Sequence, residues 1–389
     1  NIGIYNETTG TVTNNGTINV GESSFGIYSL SENGKVETAG SSVINVADKA
    51  IGIYKKGGVA NVAGVINVAN HTATDANSEP VGVYGSNGIT ITDTTSSFNV
   101  GDKSYGVILA NPGLSKTNVY SNSSSSNVNL GNESTFIYTE GSSKVTNNAT
   151  ITSGTNGKII AIYGKDGADI VNNGIIDLSH GTGNQGILVT GASNAVNRGV
   201  IKIGKTDKSD PNNIIYGIGM AAVGGANISN ERDIYVTENL GIGMYGDDRG
   251  TTLRNSGNIY LDSSNASASN KVQTMMGVFV NNGAKFVNTG NITTGSGTYN
   301  NVVGVYLGQG STLNNSGSIT INSTNGVGVY LKGGTIANYG NITVNGSSNP
   351  DDTVYTFTTP PTGKGVGGAV IDAPAGATSA TVTINGVQQ

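Results

Sequence analysis

The tripeptide Gly-Ile-Tyr recurs along this chain at a nearly constant spacing, and no other feature limits the possible fold as strongly. Gly-Val-Tyr and looser variants continue the series. The copies are Gly3-Ile4-Tyr5, Gly26-Ile27-Tyr28, Gly52-Ile53-Tyr54, Gly82-Val83-Tyr84, Ala161-Ile162-Tyr163, Gly186-Ile187-Leu188, Gly243-Met244-Tyr245, Gly277-Val278-Phe279, Gly304-Val305-Tyr306 and Gly328-Val329-Tyr330. The commonest interval is about 23–31 residues, which is typical of repeats that stack into solenoids. A repeat array grows in one direction as a single unit, so we expect one domain over residues 1–389.

The composition indicates strands. Gly is abundant at 60 residues and Pro is scarce at 7. Chains rich in Val, Ile and Thr, with Gly and Asn between them, form short strands separated by turns. Cys is absent, which excludes disulfides and thiolate zinc sites. Charged residues make up 12% of the chain without a basic run, so nucleic acid is not an expected partner.

Each repeat contains two recognisable strand patterns. The first places Ile or Val on both sides of Gly, as in Ile51-Gly52-Ile53. Side chains alternate between the faces of a strand, so we expect the two flanking residues inside and Gly and Tyr outside. The second pattern is apolar-x-Asn-x-Gly-x-Ile-x-apolar, as in Leu253 to Leu261. Asn and Gly tolerate positive φ, which suits a corner between two strands.

Two or three short strands per coil, bent at Asn and Gly, predict an all-β, right-handed parallel β-helix of about 14 coils. A β-sandwich is the structural alternative, because it also has short alternating strands. It does not predict the same corner residue in every period.

Stacked coils place equivalent residues in columns. We expect an Asn ladder whose amides join one coil to the next, with structural positions Asn14, Asn61, Asn147, Asn172, Asn230, Asn255, Asn288, Asn315 and Asn338. We also expect an outer Tyr column, in which each ring covers the Gly of a neighbouring coil or contributes to a sugar-binding stripe. Ile108, Leu188 and Gly219 interrupt this column.

Where the period lengthens, residues must leave the coils as loops, and loops on a rigid scaffold often carry recognition. The predicted insertions are residues 71–80, 111–127, 205–213, 262–273 and 347–364. The candidate ligand-binding residues lie in these loops, in the aromatic stripe or in a charged turn. They are Tyr355, Phe357, Tyr299, Tyr120, Asp247, Asp248 and Arg249.

The sequence gives little support for catalysis. Asp247-Asp248-Arg249 is the best charged cluster, but no second carboxylate can be placed beside it for acid–base work. A Gly-x-Ser-x-Gly elbow, a phosphate loop and a dinucleotide motif are all missing. We therefore expect no enzyme activity, no cofactor and no metal. A β-helix polysaccharide lyase or hydrolase remains the enzymatic alternative.

Gly-[Ile/Val]-Tyr followed by Asn-x-Gly-x-Ile-x-[Val/Ile] resembles the passenger region of very large type V autotransporter adhesins, in particular the outer-membrane adhesins of fusobacteria. The resemblance covers nearly the whole chain. It implies a β-helical passenger on the bacterial cell surface, exported through a C-terminal β-barrel that is its only link to the membrane. It also implies coaggregation with other bacteria and binding to host-cell glycans or protein receptors, with a role in virulence.

We therefore interpret the chain as part of a longer protein and as a β-helical stalk that presents binding loops. A purely structural spacer is the other non-enzymatic possibility. The uncapped coils at each end predict association of the isolated chain through exposed sheet edges.

Overall fold

The computed structural model describes residues 1–72, 74, 78–111, 115–262, 272–273, 275–295, 299–323, 326–345, 354–357, 383–384 and 387–388. These residues form strands and turns without a helix. The chain divides into two compact units. The first contains Asn1–Gly181 and Gly186–Ala195, and the second contains Thr182–Gln185 and Val196–Gln389.

In both units the chain passes repeatedly through three sheets of parallel strands, numbered here in chain order. The first sheet of the first unit contains β1 (Ile2–Asn6), β4 (Phe25–Ser29), β7 (Ile51–Lys56), β9 (Val81–Ser86), β11 (Tyr105–Asn111), β14 (Thr135–Gly141), β17 (Ile160–Lys165) and β20 (Gln185–Thr190). The second contains β2 (Thr11–Asn14), β5 (Lys35–Thr38), β12 (Asn118–Asn122), β15 (Ser143–Asn147) and β18 (Ala168–Asn172). The third contains β3 (Thr17–Val20), β6 (Val43–Val46), β13 (Asn127–Leu130), β16 (Thr150–Thr152) and β19 (Ile175–Thr182).

Two long strands of the first unit take part in both the second and the third sheet. They are β8 (Val59–Val68) and β10 (Thr90–Val100), which pair with each other over their whole length. The bend in β8 falls at Gly64, where φ is 86°. A side chain there would be strained, and a Cβ would lie 2.2 Å from the carbonyl oxygen of Ser42.

The second unit repeats the arrangement. Its first sheet contains β23 (Ile218–Val223), β26 (Ile242–Gly246), β30 (Met276–Val280), β34 (Val303–Leu307) and β37 (Val327–Leu331). Its second contains β24 (Asn227–Asn230), β27 (Thr252–Asn255), β31 (Lys285–Asn288), β35 (Thr312–Asn315) and β38 (Thr335–Asn338). Its third contains β22 (Val200–Lys205), β25 (Asp233–Val236), β28 (Asn258–Leu261), β32 (Asn291–Thr294), β36 (Ser318–Asn322) and β39 (Asn341–Asn345).

A few strands lie outside this pattern. β21 (Asn194–Asn197) contains the residues at which the chain changes units. β29 (Val272–Gln273) and β33 (Tyr299–Asn300) form a separate parallel pair. β40 (Val354–Phe357) pairs antiparallel with β39, followed by the antiparallel strands β41 (Thr383–Ile384) and β42 (Val387–Gln388).

The register aligns each repeat with the next. Tyr28 pairs with Tyr5 and with Tyr54, and Tyr54 pairs with Tyr84. Columns of Ile, Val and Leu such as Ile27 and Ile53 are fully buried. Burial of these columns on stacking is the main force that holds the coils together. The parallel pairing confirms the predicted parallel β-helix and is incompatible with an antiparallel β-sandwich.

The expected facing of the Gly-Ile-Tyr strand is right for the second Ile and for Tyr, but wrong for Gly and the first Ile. Ile53 is buried and Tyr54 is half-exposed, whereas Ile51 is half-buried on the Tyr side. A Cβ on Gly52 would lie 2.9 Å from the core methyl Cγ2 of Val46. Gly52 and Ile53 therefore both face the interior, which strict alternation forbids and a local irregularity at Gly permits.

The expected reason for Gly at the Asn-x-Gly corners, a positive φ, is right at Gly340, where φ is 54°, and wrong at three other corners. Gly257, Gly290 and Gly317 do not have positive φ. A Cβ on Gly290 would instead lie 2.0 Å from the carbonyl oxygen of Gly257, and a Cβ on Gly317 would lie 2.0 Å from that of Gly290. These three corners need Gly because successive coils approach each other too closely there for any side chain.

Candidate functional site

The aromatic residues of the first sheet stack upon one another. In the first unit Tyr5, Tyr28, Tyr54 and Tyr84 form a row with ring centroids 5.9, 4.7 and 5.2 Å apart and nearly parallel planes. Phe25 packs edge-on against Tyr28. Ile108 ends this row, as predicted, because it pairs with Tyr84 on one side and Tyr138 on the other.

The second unit has its own row. Tyr245, Phe279, Tyr306 and Tyr330 stack with centroid distances of 5.3, 4.6 and 5.3 Å. The residue paired with Tyr245 in the preceding coil is Ala221, so the interruption lies at Ala221 and not at the predicted Gly219. Gly219 corresponds to Gly243, since a Cβ on it would lie 2.5 Å from the carbonyl oxygen of Gly243.

This geometry limits what the aromatic rows can bind. The rings cover each other rather than the Gly of a neighbouring coil, so the inner rings present only their edges to solvent. Several hydroxyl groups also have partners already, because Tyr138 donates to Glu140 at 3.1 Å and Tyr245 donates to Asp247 at 3.1 Å. Burial, reinforced by these carboxylates, raises the pKa of Tyr138 and of Tyr245. A sugar needs an exposed ring face to stack on, so these rows act mainly as packing.

A buried Asn ladder connects the coils through their corners. In the second unit each side-chain amide donates to the Asn oxygen of the next coil at 2.7–2.8 Å, through Asn197, Asn230, Asn255, Asn288 and Asn315. In the first unit Asn122, Asn147 and Asn172 are linked in the same way at 2.7 and 2.8 Å. The same amides also bond the corner backbone, as Asn288 does with Gly290 at 3.2 Å.

Three of the expected ladder positions differ. Asn61 pairs with Glu37 and lies half-exposed on the outer side, while its neighbour Val62 takes the inner position. A register shift in β38 moves Asn338 opposite Asn314, so Asn315 donates to the backbone oxygen of Tyr339 instead. Asn14 is buried and bonds the backbone of Gly16, but Thr38 stands opposite it.

Tyr120 is not in a projecting loop. The predicted insertion 111–127 contains β12 and reaches the start of β13, and Tyr120 is 1% exposed within β12. Its hydroxyl donates to the carboxylate of Asp93 at 2.7 Å, and Asp93 also accepts from the Thr95 amide at 2.9 Å. Burial raises the pKa of Asp93, and burial together with Asp93 raises the pKa of Tyr120 well above its usual value. The pair is internal and inaccessible to a ligand.

Of the other aromatic candidates, the structure describes only the side chain of Tyr299. Tyr299 is 1% exposed and donates to Asp262 at 3.2 Å, so it too belongs to the interior. Tyr355 and Phe357 lie in β40, which pairs with β39 where a projecting loop is predicted. Their side chains, and the rest of residues 346–382, lie outside the described residues.

The charged candidates lie in one turn. Asp248 and Arg249 are exposed, and Asp248 has φ of 75° and accepts from the Gly224 amide at 3.2 Å. Asp247 accepts from Tyr245 and from the Asp248 amide at 2.9 Å. The carboxylates are therefore used to order the turn.

One cluster brings together a carboxylate, an imidazole and a hydroxyl. His71 Nδ1 lies 2.8 Å from Asp48 Oδ1, and the Thr72 hydroxyl donates to Asp48 Oδ2 at 2.9 Å. Although burial raises the pKa of Asp48, bonds from the Thr72 backbone, His71 and the Thr72 hydroxyl lower it to about 2. The hydroxyl is bonded to the carboxylate rather than to the imidazole, so the arrangement differs from a nucleophile held by a general base. It anchors the start of the 71–80 insertion to the preceding coil.

The predicted insertion 205–213 extends to residue 217 and is ordered by its own hydrogen bonds. Asp207 and Ile215 exchange backbone bonds of 2.8 and 3.0 Å, and the Thr206 hydroxyl donates to the Leu240 oxygen at 2.8 Å. At its end Ile214 is 39% exposed and Tyr216 is 42% exposed. Sequence analysis placed this loop but did not select these residues, since their exposure depends on how the loop folds.

A second column of Asn, called here the outer Asn column, was not anticipated. It lies on the solvent side of the third sheet of the first unit and consists of Asn19, Asn45, Asn67, Asn99 and Asn129. Its signal in the sequence is a recurring Asn between two apolar residues, as in Ile18-Asn19-Val20, Ile44-Asn45-Val46 and Ile66-Asn67-Val68.

The described residues offer neither a metal-binding cluster nor a membrane-spanning helix. Their His, Cys, Asp and Glu side chains form no group of three or more suited to a metal ion. A helix of the length and hydropathy needed to cross a membrane is not found among them.

Comparison with known proteins gives one match. Residues 178–291 match the family model of the BigA third pectate lyase-like domain, over less than a third of the chain. No curated protein matches the chain, and no solved structure does. The matched region runs from β19 to β32 and includes the loop that ends in Ile214 and Tyr216. This part of the β-helix is therefore similar to a pectate lyase-like domain.

Proposed function

We propose that this chain is part of a bacterial cell-surface adhesin whose β-helical coils act as a scaffold for binding loops. The ligand is a host-cell glycan or protein receptor, or the surface of another bacterium. The parallel β-helix, the match to a BigA domain and the resemblance to autotransporter passengers support this proposal. Outer-membrane attachment and coaggregation belong to the same proposal.

The observation that carries the proposal is the loop formed by residues 206–217. It holds two large apolar side chains, Ile214 and Tyr216, in solvent, on a backbone fixed by its own hydrogen bonds. Exposed apolar groups on an ordered loop are candidates for an interaction site. A loop that is ordered before binding loses little entropy when it meets a partner.

The test is adhesion of beads coated with the chain to host epithelial cells and to other bacteria. We expect binding by the wild-type chain and its loss in the double variant Ile214→Ser/Tyr216→Ser. Ile175→Ser is the matched control, because Ile175 is 41% exposed in β19, outside the loop. Equal adhesion of all three proteins would remove the loop from the binding site, and absence of wild-type adhesion would support a spacer.

We further propose that the chain acts without catalysis and without a cofactor. The charged turn at Asp247–Arg249 and the Asp48–His71–Thr72 cluster both use their polar groups internally, which supports this view. The family name of the matched region favours polysaccharide lyase activity as the second candidate. Incubation with polygalacturonate and measurement of unsaturated products tests it. Product formation that increases with protein concentration would replace the adhesin proposal by an enzyme.

A further inference from the structure

The outer Asn column forms a continuous hydrogen-bonded row on the surface. Each Nδ2 group donates to the Oδ1 atom of the preceding coil, at 2.8 Å for Asn45 to Asn19, 2.8 Å for Asn67 to Asn45, 2.7 Å for Asn99 to Asn67 and 2.8 Å for Asn129 to Asn99. The first and last residues are exposed and the three between them are half-exposed. The row therefore lies in contact with solvent along its whole length.

The row still has hydrogen-bonding capacity. An amide nitrogen carries two hydrogens and an amide oxygen accepts two bonds. Each bond within the row uses one hydrogen, so every amide nitrogen of the row keeps at least one hydrogen for a ligand. The oxygens are used more fully, because Asn99 also accepts from the Ser97 hydroxyl and Asn129 accepts from the Thr152 hydroxyl, both at 3.2 Å. Because neighbouring strands of a sheet lie about 4.8 Å apart, free N–H donors recur at that interval. The backbone fixes their positions, since each Asn lies within a paired strand.

Stability does not explain this row. Asn is depleted in strands, where Thr or Val is favoured at solvent-facing positions. An exposed amide–amide bond replaces bonds to water and adds little net stability. The buried ladder differs, because its amides satisfy corner groups that water does not reach. Five solvent-facing Asn residues in succession are therefore available to recognise a ligand.

The neighbouring positions on the same face define the chemistry of the ligand. The other outward residues of these strands are small and uncharged: Thr17, Val43, Val65, Ser97 and Asn127. The ten outward positions thus form a flat surface of amides, hydroxyls and methyl groups without a charge. Such a surface suits a neutral ligand with many hydroxyl groups and gives no compensation for the charges of an acidic polymer.

We propose that the outer Asn column and its neighbouring residues bind a neutral, linear polysaccharide. Each sugar residue of an extended polysaccharide carries several hydroxyl groups, and the sugar repeat is comparable in length to the spacing of coils. Each hydroxyl both donates and accepts, as each amide does, so one sugar residue pairs with one coil. Many weak contacts in register along the row give useful affinity where one contact does not. This surface is separate from the loop with Ile214 and Tyr216.

The test is affinity electrophoresis of the whole chain in gels that contain hydroxyethyl cellulose, galactomannan, dextran or polygalacturonate. We expect at least one neutral polymer to retard the wild-type chain and polygalacturonate not to retard it. The double variant Asn67→Thr/Asn99→Thr should lose the retardation, while its melting temperature stays the same or rises. Thr favours strands, so the change removes the amides without disturbing the fold.

The control is Asn258→Thr/Asn291→Thr, which makes the same change at two outward, hydrogen-bonded Asn residues of the third sheet in the second unit. It should bind like the wild type. Retardation of the wild-type chain by none of the neutral polymers, retardation by polygalacturonate alone, or unchanged binding by Asn67→Thr/Asn99→Thr would each overturn the proposal. A large fall in its melting temperature would also overturn it, because the row would then be structural.

The bead assay separates this inference from the adhesin proposal. Cell adhesion without polysaccharide binding would leave the adhesin proposal standing and reject the role of the outer Asn column. Polysaccharide binding without cell adhesion would support the role of the outer Asn column and reject the adhesin proposal.

Discussion

Two columns of Asn run along this protein, one inside and one outside, and the same side chain serves different purposes in them. The contrast also holds within one coil of the second unit. There the side chain of Asn288 is completely buried and links Asn255 to Asn315. The side chain of Asn291, which is outside the outer Asn column, is exposed and donates to Asn258. The two residues are three positions apart in sequence. Both side chains form amide–amide bonds to the neighbouring coil, and they differ in their exposure to water.

The difference shows that burial decides the value of a hydrogen bond here. An inner amide that loses its partner has no water to replace it, while an outer amide does. The inner ladder is thus a device for stability and alignment of coils. The outer column contributes little to stability, which leaves its amides available for a ligand.

The largest expected effect tests this contrast directly. Asn288→Ala removes the acceptor of Asn255 and the donor to Asn315 and Gly290, so the free energy of unfolding should fall by about 2–4 kcal/mol. Asn291→Ala is the control and should change it by less than about 0.5 kcal/mol. Urea unfolding followed by circular dichroism measures both, and equal losses would remove the distinction between buried and exposed Asn side chains.

The second prediction concerns Asp93. It lies opposite Asn122 of the buried Asn ladder and places a carboxylic acid where the ladder has an amide. Because burial raises its pKa, ionisation of Asp93 costs stability as the pH rises above the ordinary carboxyl range. The Tyr120 hydroxyl offsets part of this cost. Tyr120→Phe should therefore lower the free energy of unfolding by about 2 kcal/mol at pH 8 and by less at pH 4.

Unfolding measured between pH 4 and pH 8 gives the result. Tyr138→Phe removes the hydroxyl bond to Glu140 at a half-exposed site and should show a small loss. A loss in Tyr120→Phe that stays constant over this range would mean that Asp93 does not change its protonation there.

A smaller effect is expected for the aromatic rows. Tyr306 stacks between Phe279 and Tyr330, so Tyr306→Leu should lose about 1 kcal/mol beyond the change in buried area. Tyr163→Leu, whose ring makes one edge contact with Tyr138, should lose less. Thermal unfolding of both variants checks this, and an unchanged melting temperature for Tyr306→Leu would revive a binding role for the rows.

The smallest effect is expected in the outer column. Asn99→Thr should alter the free energy of unfolding by no more than about 0.5 kcal/mol, in either direction, because its amide bonds lie in water. The same urea experiment applies. A loss near that of Asn288→Ala would show that the outer row stabilises the fold and would weaken the proposed polysaccharide site.

The repeat in the sequence was sufficient to predict the parallel β-helix, the inward Ile53 and the outward Tyr54. It was not sufficient to predict that Gly52 faces inward. The close contacts of Gly52 with Val46 and with the next coil depend on distances between strands and coils, which the repeat does not give. The expected position of Asn61 failed because a neighbouring residue took the inner position. Sequence spacing does not reveal a slip of one residue, although such a slip exchanges the inside for the outside.

The candidate sites were less predictable than the fold. Tyr120 and Tyr299 were candidate ligand-binding residues in the sequence, yet both are internal and bonded to Asp93 and Asp262. Large aromatic residues occur in protein cores as well as on surfaces. The sequence did not distinguish the two cases, because the residues that contact Tyr120 and Tyr299 in space are distant in sequence. Ile214 and Tyr216 gave no signal in the sequence because their exposure results from the path of the loop.

The sequence by itself determined that this protein is a stack of similar coils, since a regular period of apolar residues can bury them only by stacking. The tertiary structure alone decided which polar residues are inside and which are outside. That choice depends on the register between coils. The register is set by the energy of all the stacked coils together and not by any single repeat. The two Asn columns share residue type and period, and water reaches only one of them.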